Sequence, residues 1–391
     1  MAVETFDASP VYLDYNATAP MRPEALEAVH GALQAVGNAS SIHHHGRDAA
    51  SRVDRARRQL AQLLNCSPGE VVFTSGATEA NNLALQAAYA ESGLIITSSV
   101  EHPAVLETAR ALAVGASTGL VTVSVDKDGR IDLDELSGAV QERGAALVSI
   151  MLANNETGVI NDLAPVVEVA HSAGALVHTD ATQYVGRLPL DLDELDVDLL
   201  SLSAHKFGGP QGVGALFIRR GTPLPQRPLL FGGGHERGWR AGTLNVPGIV
   251  GLGAAAEAAC RHLDEEAPRI TKLRDLLEGE VLAQLPESRV NGAGAPRLPG
   301  VSSITFPGVP ADALLASMPE VAASDGSACS AGAPTPSHVL LAMGLSREAA
   351  DSTIRFSLGH ATTEQEIRRA IDATVRAVNH VRTVMDATAA S

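Results

Sequence analysis

Between Val71 and Ile218 the chain repeats one unit: a short apolar run, a turn of small polar residues, then a stretch with helical spacing. The runs near Val71–Thr74, Leu94–Ser98, Leu120–Val125, Ala146–Leu152, Leu176–Thr179, Leu199–Ser203 and Val213–Ile218 read as strands. Runs that are apolar on both faces need cover on both faces, which a mainly parallel sheet sandwiched by helices provides. The pattern therefore predicts an α/β fold, with ligands gathered beyond the carboxyl ends of the strands.

Pro23 opens a helix with Leu26, Val29, Leu33 and Val36 on one face, and a second helix is expected from Arg47 to Leu64 with Val53, Ala56, Leu60 and Leu63 inward. After Cys260 the character changes. A charged helical segment covers His262–Leu285, a Pro/Gly-rich stretch covers Gly292–Gly300, and short strands at Ser302–Phe306 and Thr353–Leu358 flank a loop around Cys329. Thr363-Glu364-Gln365-Glu366 is a capping box for a last helix carrying Ile367, Ile371, Val375, Val378 and Val381 on one stripe. The expected organisation is a large unit over 16–260 and a smaller α+β unit of 1–15 with 261–391, in which the N-terminal strand packs. At 45% hydrophobic and 3% aromatic, aliphatic residues and alanine must fill the cores.

A net charge of −16 argues against nonspecific binding to nucleic acid or to an anionic membrane. Glu4 and Asp7 interrupt any basic-then-apolar leader. The uncharged run between Arg240 and Glu257 contains Gly, Pro and Asn and is shorter than the about 20 apolar residues of a spanning helix. A soluble, cytoplasmic protein is expected. Three cysteines make no disulfide framework. Cys66 and Cys260 sit in helical, apolar settings, whereas Cys329 lies among Gly, Ser and Ala. His43-His44-His45 lacks the Cys or carboxylate spacing that would complete a metal site, so no metal is expected.

The most unusual local pattern is Asp198–Ala215, DLLSLSAHKFGGPQGVGA. A buried strand ends there, and Ser203-Ala204-His205-Lys206 crosses into a Gly/Pro-rich turn. Lys206 reads either as a surface lysine or as a partly desolvated amine that forms a Schiff base, with Ser203 and His205 donating to an anionic cofactor. If that cofactor is pyridoxal phosphate (PLP), a carboxylate must face its pyridine nitrogen so that the ring acts as an electron sink. The apolar run Ala175–Thr179 ends on Asp180, and Ala181-Thr182-Gln183 follows. The phosphate needs backbone N–H groups at a helix start, and Val71–Ser75 followed by Gly76-Ala77-Thr78-Glu79 is a strand, a turn and a helix opening. Each piece alone is common; three in order, each at a strand end, point to one site. His102, before Pro103, is a structural or a functional imidazole. Asn155 caps a turn or faces a ligand. Arg355, inside an apolar strand, needs a buried anion, in a structural ion pair or as the clamp of a carboxylate.

These segments resemble the PLP-dependent cysteine desulfurases of the class V aminotransferase group along nearly the whole chain. The resemblance is carried by YLDYNAT (Tyr12–Thr18), GNASSIH (Gly37–His43), TSGATEANN (Thr74–Asn82), EHPAV (Glu101–Val105), NNETG (Asn154–Gly158), Asp180 with Gln183, SAHK (Ser203–Lys206), RAGT (Arg240–Thr243), GSACS (Gly326–Ser330) and RFSLG (Arg355–Gly359). It implies a type I PLP-enzyme fold. It also implies that His102 stacks on the cofactor ring and handles protons, and that Asn155 lies near the substrate carboxylate and a cofactor oxygen. Gln183 would bond the ring hydroxyl, and Ala77, Thr78, Ser203 and His205 would hold the phosphate. Thr243 would reach the phosphate of a partner subunit in a homodimer, and Arg355 would clamp the α-carboxylate of L-cysteine. Lys206 would move the α-proton and Cys329 would attack the substrate sulfur, giving L-alanine and a persulfide for an acceptor protein. The chain ends soon after its last expected helix, whereas relatives that serve the iron–sulfur scaffold protein commonly carry a longer tail, so the acceptor stays open among iron–sulfur assembly, tRNA thiolation and DNA phosphorothioation.

Three other readings fit less. A selenocysteine lyase or another PLP-dependent C–S lyase leaves the Cys329 setting unused. A dinucleotide-binding oxidoreductase needs a G-x-G-x-x-G that Gly76-Ala77-Thr78-Glu79 does not match. A silent scaffold does not account for Lys206, Asp180, His102 and Cys329 together.

Overall fold

The computed structural model describes residues 10–89, 93–114, 119–326 and 336–389. Strands β1 (Val11–Tyr12), β2 (Val71–Thr74), β3 (Ile95–Ser98), β4 (Leu120–Val123), β5 (Leu147–Ser149), β6 (Leu176–Asp180), β7 (Leu199–Ser203) and β8 (Gly214–Ile218) come first, followed by β9 (Arg289–Val290), β10 (Val301–Thr305), β11 (Val321–Ala322) and β12 (Thr353–Ser357). Seven of them form one sheet in the order β2-β8-β7-β6-β5-β3-β4. β4, β3, β5, β6 and β7 run parallel, and β8 lies antiparallel between β7 and β2. The fold is α/β, with the mainly parallel sheet that the alternation predicts. Every residue of β2, β3, β5 and β7 is buried, as expected of strands covered on both faces.

The turn after β2 is tight for a local reason. Gly76 takes φ 156°, a conformation that side chains oppose, and starts the helix Ala77–Ala88. Gly214 of β8 lies directly against it: an added Cβ there would stand 2.7 Å from Gly76 Cα. The helix start is thus drawn onto the end of the sheet.

The second helix begins earlier than expected, at His44, because His43 caps it by accepting from the Gly46 amide at 3.3 Å. Val53, Ala56, Leu60 and Leu63 face inward. The first helix, Pro23–Leu33, behaves differently from its apolar stripe. Leu26, Leu33 and Val36 are exposed, at 59%, 67% and 79%. Small residues, Ala25 and Ala32, make its buried side, and Val29 packs where a Cβ on Gly251 would overlap it. The charged helical segment expected from His262 is part of one helix, Val246–Gln284.

β12, β10 and β9 form an antiparallel sheet, and β1 pairs in parallel with β11. Val11, Leu13, Leu277, Phe306, Phe356 and Ile367 pack together here. Thr363 and Glu366 cap the last helix, Glu364–Ala389, reciprocally: the Thr363 amide donates to Glu366 at 2.8 Å and the Glu366 amide to Thr363 Oγ1 at 3.3 Å. An isolated bridge joins Asp14 to Ser357. It carries the segment after β1 across to the carboxyl ends of the large sheet. Among the described residues no helix is long and apolar enough to cross a membrane.

Candidate active site

A cavity of about 270 Å³ opens at the carboxyl ends of the parallel strands. The ends of five strands line it: Ala77 and Thr78 after β2, His102 after β3, Asn155 after β5, Asp180 and Gln183 with β6, and Ser203, His205 and Lys206 with β7. Arg355 of β12 closes it with Asn16 and Ala17. The structure thus brings ten of the twelve expected site residues together. Thr243 is exposed and outside this cavity. Cys329 lies outside the described residues.

Asp180 ends β6, where its carboxylate accepts from Asn81 Nδ2 at 2.7 Å and from the Thr182 amide at 2.9 Å. Asn81 is wholly buried on the helix after β2, so it aims the carboxylate from across the sheet. His102 caps the helix Pro103–Ala113, its Nδ1 accepting from the Ala104 amide at 3.0 Å. That bond leaves the proton of the neutral ring on Nε2. Burial holds His102 below the usual imidazole range; Asp180 opposes this, while Lys206 and His338 add to it. His205 accepts or donates at Thr18 Oγ1 (3.1 Å), and burial, with Lys206 and Arg187 nearby, pushes it down to about 4.

Lys206 Nζ donates to Ala17 O at 2.9 Å and to Asn16 O. The chain has only three lysines. Lys127 is fully exposed beside Asp128, and Lys272 is exposed on the helix Val246–Gln284, so only Lys206 meets a cavity of this kind. Arg355 has the buried anion its strand requires: Nη2 pairs with Asp14 at 2.7 Å and Nη1 donates to Asn155 O at 3.0 Å. Its Nε has no partner, nor have Asn155 Oδ1, Gln183 Oε1 and Thr182 Oγ1, all buried. Four unsatisfied polar atoms around one cavity are costly unless a polar ligand meets them.

Several contributors were not visible in the sequence as site residues. Asn16, Asn81 and Thr182 lie in quoted segments and Arg187 in none, and nothing local assigns any of them a partner. Glu101 lies beside His102, wholly buried; it accepts from Ser98 Oγ at 2.7 Å and the Met151 amide at 2.8 Å, and burial pushes it up to about 8. Burial thus favours its neutral, protonated form.

His178 lies two residues before Asp180, wholly buried between Ser149 Oγ (2.8 Å) and Ser201 Oγ (3.0 Å). Burial pushes it down to about 4. Between that value and the usual imidazole value near 6.5, the unfolded chain binds a proton there that the folded protein does not. Stability therefore rises with pH across this window and is lost as pH falls through it. His178→Gln is expected to abolish roughly 3 kcal/mol of that acid-induced loss, measured as the difference in denaturant midpoints at pH 7 and pH 4. A slope equal to wild type would show that His178 is charged in the folded protein.

The class-V aminotransferase profile matches residues 11–370. The cysteine desulfurase of Gluconacetobacter diazotrophicus is 45% identical over 369 residues, covering 93% of this chain and 92% of that protein. Among solved structures, a NifS-like protein superposes with a TM-score of 0.87 at 38% identity, covering 95% of this chain and all (100%) of that one. SspA in complex with cysteine gives 0.78 at 34% identity, covering 89% of this chain and 98% of that one. The chain belongs to the class-V aminotransferase family and sits among its cysteine desulfurases.

Proposed function

We propose that this protein is a PLP-dependent cysteine desulfurase. It converts L-cysteine to L-alanine, leaves the sulfur on Cys329 as a persulfide, and passes it to an acceptor protein. The observation that carries this is the meeting of an amine, a carboxylate and an imidazole (Lys206, Asp180 and His102) around one cavity edged by unpartnered polar atoms. The donor set fits PLP. Asp180 would face the pyridine nitrogen and Gln183 the ring hydroxyl. Ala77 and Thr78, at a helix start, would hold the phosphate with Ser203 and His205, and Lys206 would hold the aldehyde carbon. Bound there, the cofactor supplies an electron sink for the amino-acid α-carbon.

The chain's own residues do the rest. Arg355 orients the α-carboxylate, with Asn155 beside it. Lys206 Nζ takes and returns the proton at the α-carbon. His102, neutral and protonated on Nε2, moves protons on the cavity side of its ring. Cys329 Sγ attacks the substrate sulfur as a thiolate; the new S–S bond forms as the Cβ–S bond breaks. The displaced electron pair and a proton end on the carbon skeleton, which leaves as L-alanine, so no external oxidant or reductant is needed.

The same reading includes a homodimer. The exposed Thr243 and the uncovered Leu26, Leu33 and Val36 support a second copy on that side. It also includes a cytoplasmic location and a division into units of 16–260 and of 1–15 with 261–391. Separate apolar clusters, one within Ala25–Ala259 and one joining Val11 and Leu13 to Ile270–Val381, support that division.

The test is to load the protein with PLP, record its visible absorbance, then add L-cysteine with a reductant and assay sulfide and alanine together. Equal amounts of both are expected. Sulfide accompanied by pyruvate would indicate a C–S lyase instead, and a colourless protein would remove the enzyme reading. Arg355→Lys keeps the charge and loses the two-pronged geometry, so KM for L-cysteine should rise about 10²-fold with a smaller change in kcat. An unchanged KM would leave Arg355 as the structural partner of Asp14 alone.

A further inference from the structure

Asn16 joins more parts of the site than any residue given a role above. It is 1% exposed. Its amide donates to Ser357 Oγ at 2.9 Å and its Nδ2 to Asn155 O at 2.9 Å. Its Oδ1 accepts from Arg187 Nη1, and its carbonyl accepts from Gln183 Nε2 at 3.0 Å and from Lys206 Nζ. The adjoining carbonyl of Ala17 accepts from the same amine at 2.9 Å.

Arg187 is the second brace. It is partly buried, and its partners are three neutral oxygens: Asn16 Oδ1, Tyr15 O at 3.3 Å and Lys206 O at 3.3 Å. A guanidinium drawn from water onto neutral oxygens is costly. Here it fixes both the segment that receives the amine and the backbone from which that amine extends. The Nδ2 bond of Asn16 ties this segment to the Asn155 carbonyl, which Arg355 also holds.

We propose that the Asn16 and Ala17 carbonyls are the seat of the Lys206 amine whenever it is not joined to the cofactor, and that Asn16 and Arg187 are positioning residues that keep this seat in register with the Asn155–Arg355 side of the cavity. This rests on Lys206 being the cofactor-bearing amine. The seat predicts that in the cofactor-free protein the Lys206 amine is shielded by two directed acceptors. Loosening either brace exposes it without removing a carbonyl.

The test is acylation of the cofactor-free, full-length protein with acetyl N-hydroxysuccinimide, followed by peptide mass mapping. Lys127 and Lys272, both exposed, serve as internal standards. Asn16→Ala and Arg187→Met should each raise the labelling of Lys206 relative to those two by about tenfold. Asn16→Ser, which keeps a hydroxyl, should give a smaller rise and serves if Asn16→Ala does not fold. Asn291→Ala is the control. It also deletes a buried asparagine, one bonded to Ser303 Oγ at 3.1 Å and Thr305 Oγ1 at 3.0 Å in the other sheet, and should lower the melting temperature while leaving the labelling ratio alone. A ratio within about twofold of wild type in the folded variants, or an equal rise in Asn291→Ala, overturns the seat. Borohydride reduction of the PLP-loaded wild type, mapped the same way, tests the premise separately. A tag on Lys127 or Lys272 removes the Lys206 reading and the seat with it. A tag on Lys206 beside a failed labelling test removes the seat alone.

Discussion

Replacing Lys206 with alanine is expected to lower kcat for L-cysteine by about 10³-fold or more, the scale of losing a positioned proton-transfer group that is also the covalent anchor. Borohydride should then fix no cofactor to the chain. The reason is geometric: of three lysines, Lys206 alone lines the cavity shared by Asp180, His102 and Gln183. The fold should survive. What is lost is a pair of bonds to the Asn16 and Ala17 carbonyls, together about 1–3 kcal/mol, so circular dichroism and the melting temperature stay near wild type. Lys206→Arg restores a cation and its donors but no amine that can lose its proton, so it should be equally inactive. Lys127→Ala and Lys272→Ala should turn over normally. A Lys206→Ala protein retaining more than about a tenth of wild-type turnover would sink the assignment.

Cys329→Ala is expected to keep the cofactor and to bind L-cysteine, yet to release sulfide and alanine at least about 10²-fold more slowly. In wild type, mass mapping after a brief exposure to L-cysteine should find one added sulfur atom on the Cys329 peptide. Neither of the other cysteines lines the cavity. Burial pushes Cys66 up to about 12, so it is a thiol at neutral pH, and Cys260 is exposed on the helix Val246–Gln284. The described residues on either side of Cys329 lead toward the cavity. Ser337 Oγ donates to Glu156, and a Cβ on Gly326 would stand 3.1 Å from the same carboxylate. Glu156 adjoins Asn155, which lines the cavity. Release of sulfide by Cys329→Ala at the wild-type rate would exclude it as the nucleophile.

The strands of the large sheet were legible because they are short, largely apolar runs, and such a run declares its burial locally; the two-residue strands β9 and β11 are too short to show one. The strand-end residues followed. Asp180, His102, Ser203 and Lys206 are each placed by the strand just before them, and the carboxyl ends of parallel strands meet on one side of the sheet. The capping box at Thr363 was legible for the same reason, because its partners are three positions apart. The stripe of Leu26, Leu33 and Val36 misled. Helical spacing says which residues share a face, but which face is covered depends on the neighbour, and here the helix Val246–Gln284 receives Ala25, Val29 and Ala32.

Asn16 shows most clearly what lay out of reach. Its partners Ser357, Arg187, Gln183 and Asn155 stand 341, 171, 167 and 139 positions away. The pairing of Arg355 with Asp14, across 341 positions, is of the same kind. The large-sheet strands and the residue that ends each of them follow from propensity and periodicity, which act over a few residues. Which of those ends face one another is a matter of tertiary packing. That depends on the strand order β2-β8-β7-β6-β5-β3-β4 and on the crossing of the segment after β1 to β12, and long-range packing selects both.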